Sequence, residues 1–157
     1  MPVVLQNRQR VVAIDRVWLR RRAEAVLSAA RTDGAELSLV LVSDRRMRVL
    51  NRRYRRKDRP TDVLAFPLHE KWGQATFLRK SSLSPFLLGD VVISVPTARR
   101  QAAELGHGLR EELRCLLVHG VLHLLGYDHE RGPRDAALMA RKEKAILKTI
   151  NRNNQSA

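Results

Sequence analysis

Apolar positions recur with a helical period in some stretches of the chain and with a strand-like period in others. Positions three and four apart predict five helices, at about residues 15–30, 44–54, 96–106, 109–125 and 133–150. Alternating or continuous apolar runs predict four strands, at residues 3–6, 36–42, 62–66 and 90–95. Residues 69–88 have no sustained period, so we expect a loop there. The interleaved order predicts an α+β fold, with a mixed sheet of about four strands packed against helices.

The chain has the organisation of a single domain. No repeat and no linker rich in Gly, Ser or Pro divides its 157 residues, a length that suits one domain. We assign residues 1–150 to this domain and expect residues 151–157 to form a polar C-terminal tail that frays. The stretch from residue 109 to 125 is apolar nearly all round, which predicts a buried helix.

Three of the five histidines, His119, His123 and His129, lie near the end of this predicted helix. Residues four apart share a helix face, so the first two can direct their imidazoles at one ion. Gly126 can end the helix in a left-handed conformation and let the chain bring His129 back as a third ligand. Three nitrogen ligands leave a fourth position open, which is typical of a catalytic zinc site. We expect one Zn²⁺ per chain, with nickel, copper and iron as alternatives.

The residue that follows the first of these histidines is Gly120. Zinc peptidases with the pattern HExxHxxGxxH share the histidine spacing but carry at this position a glutamate that acts as general base. Glycine cannot take a proton from water. The sequence therefore disfavours a peptidase of that mechanism while leaving the metal site intact.

Four acidic residues near the histidines are candidates to orient them: Glu111, Glu112, Asp128 and Glu130. Of these, Glu112 and Glu130 are better explained as surface charges. We also expect His69 and His107, which stand in loop-like settings, to be ordinary surface residues.

The charge of the chain is strongly positive and unevenly distributed. Thirty Lys and Arg against 16 Asp and Glu give +14, and the segment Arg45–Arg59, with nine basic residues and one acid, carries +8 of it. A segment this basic repels itself, which favours contact with a polyanion, nucleic acid first and an anionic membrane surface second. The residues expected to bind the substrate are Arg52, Arg53, Arg55, Arg56, Lys57 and Arg59.

Three features favour a soluble, cytoplasmic protein. The single cysteine, Cys115, cannot form an internal disulfide, which suits a reducing compartment. The longest uncharged stretch has 13 residues, whereas a bilayer requires about 20. The N-terminal segment is interrupted by Arg8 and Arg10, which is not typical of a secretory signal. We therefore expect no membrane contact.

Four motifs together resemble a known family. They are NRRYRRKDRPTDVLAFP at residues 51–67, LGDV at 88–91, HGVLHLLGYDH at 119–129 and the pattern Met139-x3-Glu143-x2-Ile146-Leu147. They resemble the YbeY family of metal-dependent endoribonucleases, found in bacteria and organelles and also called ribosomal RNA maturation factors. The resemblance runs from the N-terminal strand to about Leu147. One departure is Ala65, where the family usually has serine.

This resemblance implies a zinc ion held by the three histidines and cleavage of single-stranded RNA. It also implies a role in maturation of the 3′ end of 16S ribosomal RNA and in ribosome quality control, with the small ribosomal subunit and its proteins as partners. The functional arginine of the family corresponds to Arg55. We take Arg55 and His119 as the candidate catalytic residues, the first holding the scissile phosphate and the second a metal ligand.

Two other functions stay open. A zinc hydrolase of another substrate, such as a metallopeptidase, would use the same histidines. A non-catalytic RNA-binding factor of ribosome assembly would use the basic segment for RNA and the metal only for folding. Within the endoribonuclease hypothesis, the 2′-hydroxyl of RNA is an alternative nucleophile to water.

Overall fold

The computed structural model describes residues 3–32, 34–68 and 87–155 of the chain. Its strands are β1 (Val3–Asn7), β2 (Glu36–Val42), β3 (Val63–Pro67) and β4 (Leu87–Ser94). Its helices are α1 (Arg16–Ala29), α2 (Asp44–Arg55), α3 (Val95–Leu105), α4 (Leu109–Leu124) and α5 (Pro133–Gln155), with a 3₁₀ turn at His129–Arg131. No helix within these ranges is long and apolar enough to cross a membrane.

The four strands form one sheet in the order β1-β2-β4-β3. β2 pairs in parallel with both β1 and β4, whereas β3 pairs with β4 in the antiparallel direction. This sheet confirms the predicted α+β fold with four strands of mixed direction. Within the described ranges β3 lies at an edge of the sheet, and the candidate site is built beside it.

Alternate residues of the central strands point to opposite faces of the sheet. Val40 and Val42 of β2 contact Met47 and Leu50 of α2 on one face. On the other face, Leu37, Leu39 and Leu41 of the same strand join a larger cluster with α1, α3, α4 and α5. The helix α4 is buried along most of its length, as predicted, because it packs against the sheet on one side and against α1 and α5 on the other.

The strand β4 begins earlier than predicted. Leu87 pairs with Glu36 of β2, and Gly89 pairs with Pro67 of β3, so both residues belong to the sheet although the pattern placed them in or beside a loop. Glycine weakens a strand pattern because it has no side chain to show the alternation. Here it is required by space, since a Cβ on Gly89 would lie 2.2 Å from the carbonyl oxygen of Phe66.

Three other boundaries also differ. Val95 belongs to α3 and not to the preceding strand, and β3 spans Val63–Pro67, one residue later than predicted. The helix α5 continues to Gln155, five residues beyond its predicted end, because polar residues carry no periodic signal although their backbone can stay helical. The rest of the predicted loop, residues 69–86, including His69, lies outside the described residues.

Asp44, the first residue of α2, connects this helix to the start of α3. One carboxylate oxygen accepts hydrogen bonds from the hydroxyls of Ser94 at 2.7 Å and Thr97 at 2.5 Å, and the other lies 2.8 Å from Nη2 of Arg100. Burial raises the pKa of the Asp44 carboxyl, but the bonds from Thr97, Ser94 and Arg100 outweigh burial and leave this pKa below its usual value. The contact fixes the direction of α2, whose far end carries Arg55.

We expect Asp44→Asn to be less stable than the wild type by about 1 kcal/mol at pH 7, because the amide loses the charge at the start of α2. Folding lowers the pKa of Asp44, so its contribution is present above about pH 4, the ordinary pKa of aspartate, and is lost as the pH falls through the lower pKa of the folded state. Denaturant unfolding across this pH range should show the difference shrinking in acid. A difference that is independent of pH would contradict the role of the charge.

Candidate metal centre

Three imidazoles converge at the end of α4. His119 and His123, one helical turn apart, place their Nε2 atoms 3.1 Å from each other, and His129 follows in the 3₁₀ turn. One ring nitrogen from each of the three lies within 4.8 Å of the other two. The first two side chains are half-buried and the third is exposed, so the cluster opens toward solvent. The structure thus brings the three predicted ligands together, and they could hold a metal ion.

A tight turn after α4 returns the chain to the histidines. Gly126 has a φ of 98°, its amide donates to the carbonyl of His123 at 3.1 Å, and the amide of Tyr127 donates to the carbonyl of Leu122 at 3.0 Å. These bonds end the helix in the left-handed manner that favours glycine. Asp128 then accepts a hydrogen bond from the amide of Glu130 at 2.9 Å and begins the 3₁₀ turn. The turn predicted from Gly126 is confirmed.

An acid of α5 orients the first histidine. Nδ1 of His119 lies 2.7 Å from Oε1 of Glu143, and both side chains are about 30% exposed. A proton shared with this carboxylate places the lone pair of the ring on Nε2, the atom that faces His123. Glu143 was not among the acids predicted for this role. Its signal was an acid on the same face of a basic helix as the buried residues Met139 and Ile146.

The donor set fits a transition-metal ion. Burial lowers the pKa of His123, and the neighbouring His119 and His129 lower it further, so this ring is held in the neutral form that binds metals. Two nitrogens on one tetrahedral zinc ion stand about 3.3 Å apart, close to the 3.1 Å between the Nε2 atoms of His119 and His123. Without an ion, only one of these two nitrogens can donate to the other. A metal would accept both lone pairs at once.

The position of Gly120 explains why no acid follows the first histidine. A Cβ on Gly120 would lie 2.8 Å from Cγ1 of Val91, which belongs to a central strand and is fully buried. A β-branched residue in a packed core cannot move aside at low cost. A glutamate therefore does not fit at this position, and the general base of the zinc peptidases is excluded by packing as well as by sequence.

Two cavities meet beside the histidines, and both are lined by Arg55, Ala65, His123 and Glu130. The larger has a volume of about 510 Å³ and extends along the end of α2 and β3 to the turn after α4. The smaller, of about 240 Å³, contains all three histidines and the cations Lys57 and Arg59. We call the two cavities together the groove. Ala65, the residue that departs from the serine of the resembled family, lies in its floor.

The basic residues of the segment Arg45–Arg59 are divided by the fold. Four of the six predicted substrate-binding residues line the groove, namely Arg55, Arg56, Lys57 and Arg59. The other two, Arg52 and Arg53, are exposed but line neither cavity. The guanidinium of Arg53 instead lies 5.4 Å from the ring centre of Tyr54. Only part of the segment can therefore contact a molecule bound at the histidines.

Arg55 forms an ion pair with Glu130 of the 3₁₀ turn that contains His129. Its Nη2 lies 3.1 Å from Oε1 and 3.4 Å from Oε2 of Glu130, across 75 positions of sequence. Both side chains are about half exposed, so the ion pair is weak and can exchange for other partners. Glu130 is thus at the surface, as expected, and the pair lies beside the histidines in the same cavity.

The expectation that Glu112 and His107 are ordinary surface residues was wrong. Glu112 is only 5% exposed, and its Oε2 lies 2.6 Å from Nε2 of the half-buried His107. The pair joins the end of α3 to the first turn of α4. A glutamate close to a helix N-terminus is favoured there, so this pair supports the start of the helix and not the metal site.

The fold and site define an α+β protein with an open cluster of three histidines that could hold a metal ion, beside a basic groove. Comparison with known proteins shows a match to the family model Endoribonuclease YbeY over residues 4–151. Endoribonuclease YbeY of Aquifex aeolicus is 42% identical over 150 residues, covering 96% of this chain and 92% of that protein. Endoribonuclease YbeY of Pelotomaculum thermopropionicum is 46% identical over 155 residues, covering 96% and 98%. The chain therefore belongs to the endoribonuclease YbeY family.

A solved structure supports the fold. The solution structure of a protein from Thermotoga maritima matches 98% of this chain and 92% of its own, with a TM-score of 0.63 and 24% sequence identity. At this identity the likeness concerns the fold alone.

We expect Glu143→Ala to weaken zinc binding about 10- to 100-fold, because His119 loses the group that fixes its ring and its protonation. Glu143→Gln should fall between this variant and the wild type, since its amide oxygen can still accept from Nδ1. Competition with a zinc-binding dye measures the affinity. Asp135→Ala, which removes the other acid of α5, is the control and should bind zinc as the wild type does. Equal affinity in all four proteins would contradict the role of Glu143.

Proposed function

We propose that this protein is a zinc-dependent endoribonuclease specific for single-stranded RNA. The proposed pathway is ribosomal RNA processing, at the 3′ end of 16S rRNA, together with ribosome quality control. The observation that carries the chemistry is the convergence of Arg55 with His119, His123 and His129 in one groove. The ribosomal substrate rests on membership of the family. The proposed partners are the small ribosomal subunit and its proteins in the cytoplasm, with no membrane.

The three histidines would hold the zinc ion, which when bound supplies Lewis-acid stabilisation of a phosphoryl oxygen and lowers the pKa of water toward about 7. Arg55 has a planar guanidinium that can bind two phosphate oxygens at once and oppose the charge that develops on them. Glu143 keeps His119 in the tautomer that faces the groove. Lys57 and Arg59 extend the positive lining along the smaller cavity, where they would contact the next phosphate of the strand.

The geometry supports this function over the alternatives. The packing of Gly120 against Val91 opposes a peptidase with a glutamate base. A structural zinc ion usually has four protein ligands. Here the cluster contains three histidines, one of them exposed, which would leave a coordination position open to the groove. An arginine able to bind phosphate next to an open metal site is an arrangement suited to phosphodiester hydrolysis, because both groups can stabilise the charge that develops on the phosphate.

We expect His119→Ala to lose both zinc and RNA cleavage, and Arg55→Ala to keep zinc and lose about 10²- to 10³-fold in cleavage rate. Arg48→Ala is the matched control, because Arg48 lies on the same helix but is paired with Asp58 at 2.8 Å and lines neither cavity. The assay is cleavage of a defined single-stranded RNA by proteins purified in parallel, with metal content measured. Equal cleavage by the metal-free and zinc-loaded wild type would overturn the proposal, and equal loss in the two arginine variants would remove the special role of Arg55.

We expect Glu130→Gln to lower the KM for RNA by up to about fivefold, because Glu130 competes with phosphate for Arg55 and an exposed ion pair is worth at most about 1 kcal/mol. The same substitution in the Arg55→Ala protein should change KM little, since the partner is absent. Steady-state kinetics on all four proteins form the test. A similar fall of KM in both backgrounds would show a general charge effect and no competition.

A further inference from the structure

We infer that the larger cavity of the groove binds one unpaired nucleobase of the RNA strand, with the ring of Tyr127 as its stacking surface. This inference rests on the proposed function and adds a base-recognition site to it. The phosphate and metal groups described above would act on the backbone of any strand, whereas this cavity has the chemistry to select which nucleotide lies beside the scissile bond.

Most of the aromatic residues in the described part of the chain line this cavity. The described ranges contain four Phe, Trp or Tyr residues, and three of them, Tyr54, Phe66 and Tyr127, line it. The chain as a whole is only 4% aromatic, so their gathering at one place is not a consequence of composition. Aromatic side chains are the surfaces on which proteins stack the bases of single-stranded RNA.

The three rings are engaged to different degrees. Phe66 is buried, and Tyr54 packs edge-on against it with ring centres 5.1 Å apart, while Arg53 lies over the ring of Tyr54. Tyr127 is half-buried at the turn, where it packs against the larger core cluster and also lines the cavity, and within the described part of the chain no aromatic ring or cation is stacked on it. Packing against the core holds this residue in place, and the part of it that lines the cavity is the surface that we assign to a base.

The two cavities, which share Arg55 and Glu130 in their linings, differ in the chemistry of their other residues. The cavity with the aromatic rings also carries the cations Arg56 and Arg131 at its rim. Among the described residues, the lining of the smaller cavity includes no Phe, Tyr or Trp; its rings are the three imidazoles of the candidate metal site, and its cations Lys57 and Arg59 suit the sugar-phosphate backbone. With Arg55 between them, a strand that crosses the groove would have one base stacked on one side of the scissile phosphate and only backbone contacts on the other.

The test uses short oligonucleotides with one abasic position moved along the strand. Binding is measured by fluorescence anisotropy on the zinc-loaded protein with 2′-O-methyl oligonucleotides, whose intactness after the measurement is checked by gel electrophoresis, and KM is measured with the matching RNAs. For the wild type we expect one abasic position, next to the scissile phosphate, to weaken binding and raise KM about 5- to 100-fold. Tyr127→Leu should show the same loss with the intact strand and no further loss with the abasic one.

Two variants serve as controls. Tyr127→Phe keeps the stacking ring and should retain the dependence on the base. Trp18→Leu removes a ring of α1 that lies against Arg110 of α4 and lines neither cavity, so this variant should behave as the wild type. Additive losses from Tyr127→Leu and the abasic position, or no position at which the base matters, would overturn the inference.

A measurement on the wild type alone tests the site even if the Tyr127→Leu protein does not fold. A 5-iodouridine at the sensitive position should photo-crosslink to Tyr127 or Tyr54 of the wild type, as read by mass spectrometry, and a crosslink confined to residues outside the cavity would refute the site. Failure of the proposed function is distinguishable. Base-dependent binding that Tyr127→Leu abolishes, in a protein that does not cleave RNA with zinc, would keep the base site and reject the nuclease.

Discussion

The close packing of α4 against the sheet determines the positions of its two histidines, His119 and His123. Gly120 lies against Val91 of β4 so closely that a Cβ would overlap the valine methyl group at 2.8 Å. Because Gly120 directly follows His119, this contact turns the imidazoles of the helix toward the edge of the sheet at β3. The absence of a side chain has a chemical consequence as well, since the position that holds the general base in similar zinc motifs is used here for packing.

The site is assembled from both faces of the sheet. α2 packs on one face and α4 on the other, and they meet where β3 forms the edge, so that Arg55 from the first reaches the loop that follows the second. Asp44 fixes the start of α2, and Arg55 near its end forms a half-exposed ion pair with Glu130. The positive charge of the segment Arg45–Arg59 is thereby divided into groups that line the groove and groups that face solvent, where they attract a polyanion without contacting the histidines.

Features that depend on neighbours in sequence were predicted well. The spacing of His119 and His123, the turn at Gly126 and the return of His129 all lie within eleven residues, and the geometry of one helix and one turn decides them. The strands and helices were found for the same reason, since each shows its own periodicity. The ends of these elements were predicted less accurately. Strand pairing decides that β4 begins at Leu87, and continued backbone hydrogen bonds carry α5 to Gln155, and neither changes the apolar pattern of the sequence.

The sequence by itself determined the fold class, the three candidate ligands, the basic segment and the missing glutamate, because each is a local pattern of side chains. Only the tertiary structure decided that Glu143 orients His119, that Glu112 is buried with His107, and which arginines reach the groove. These contacts join residues on different helices, and their partners are chosen by how the helices pack. The same packing brought Tyr54, Phe66 and Tyr127 to one cavity beside the metal ligands, a grouping that no spacing along the chain shows.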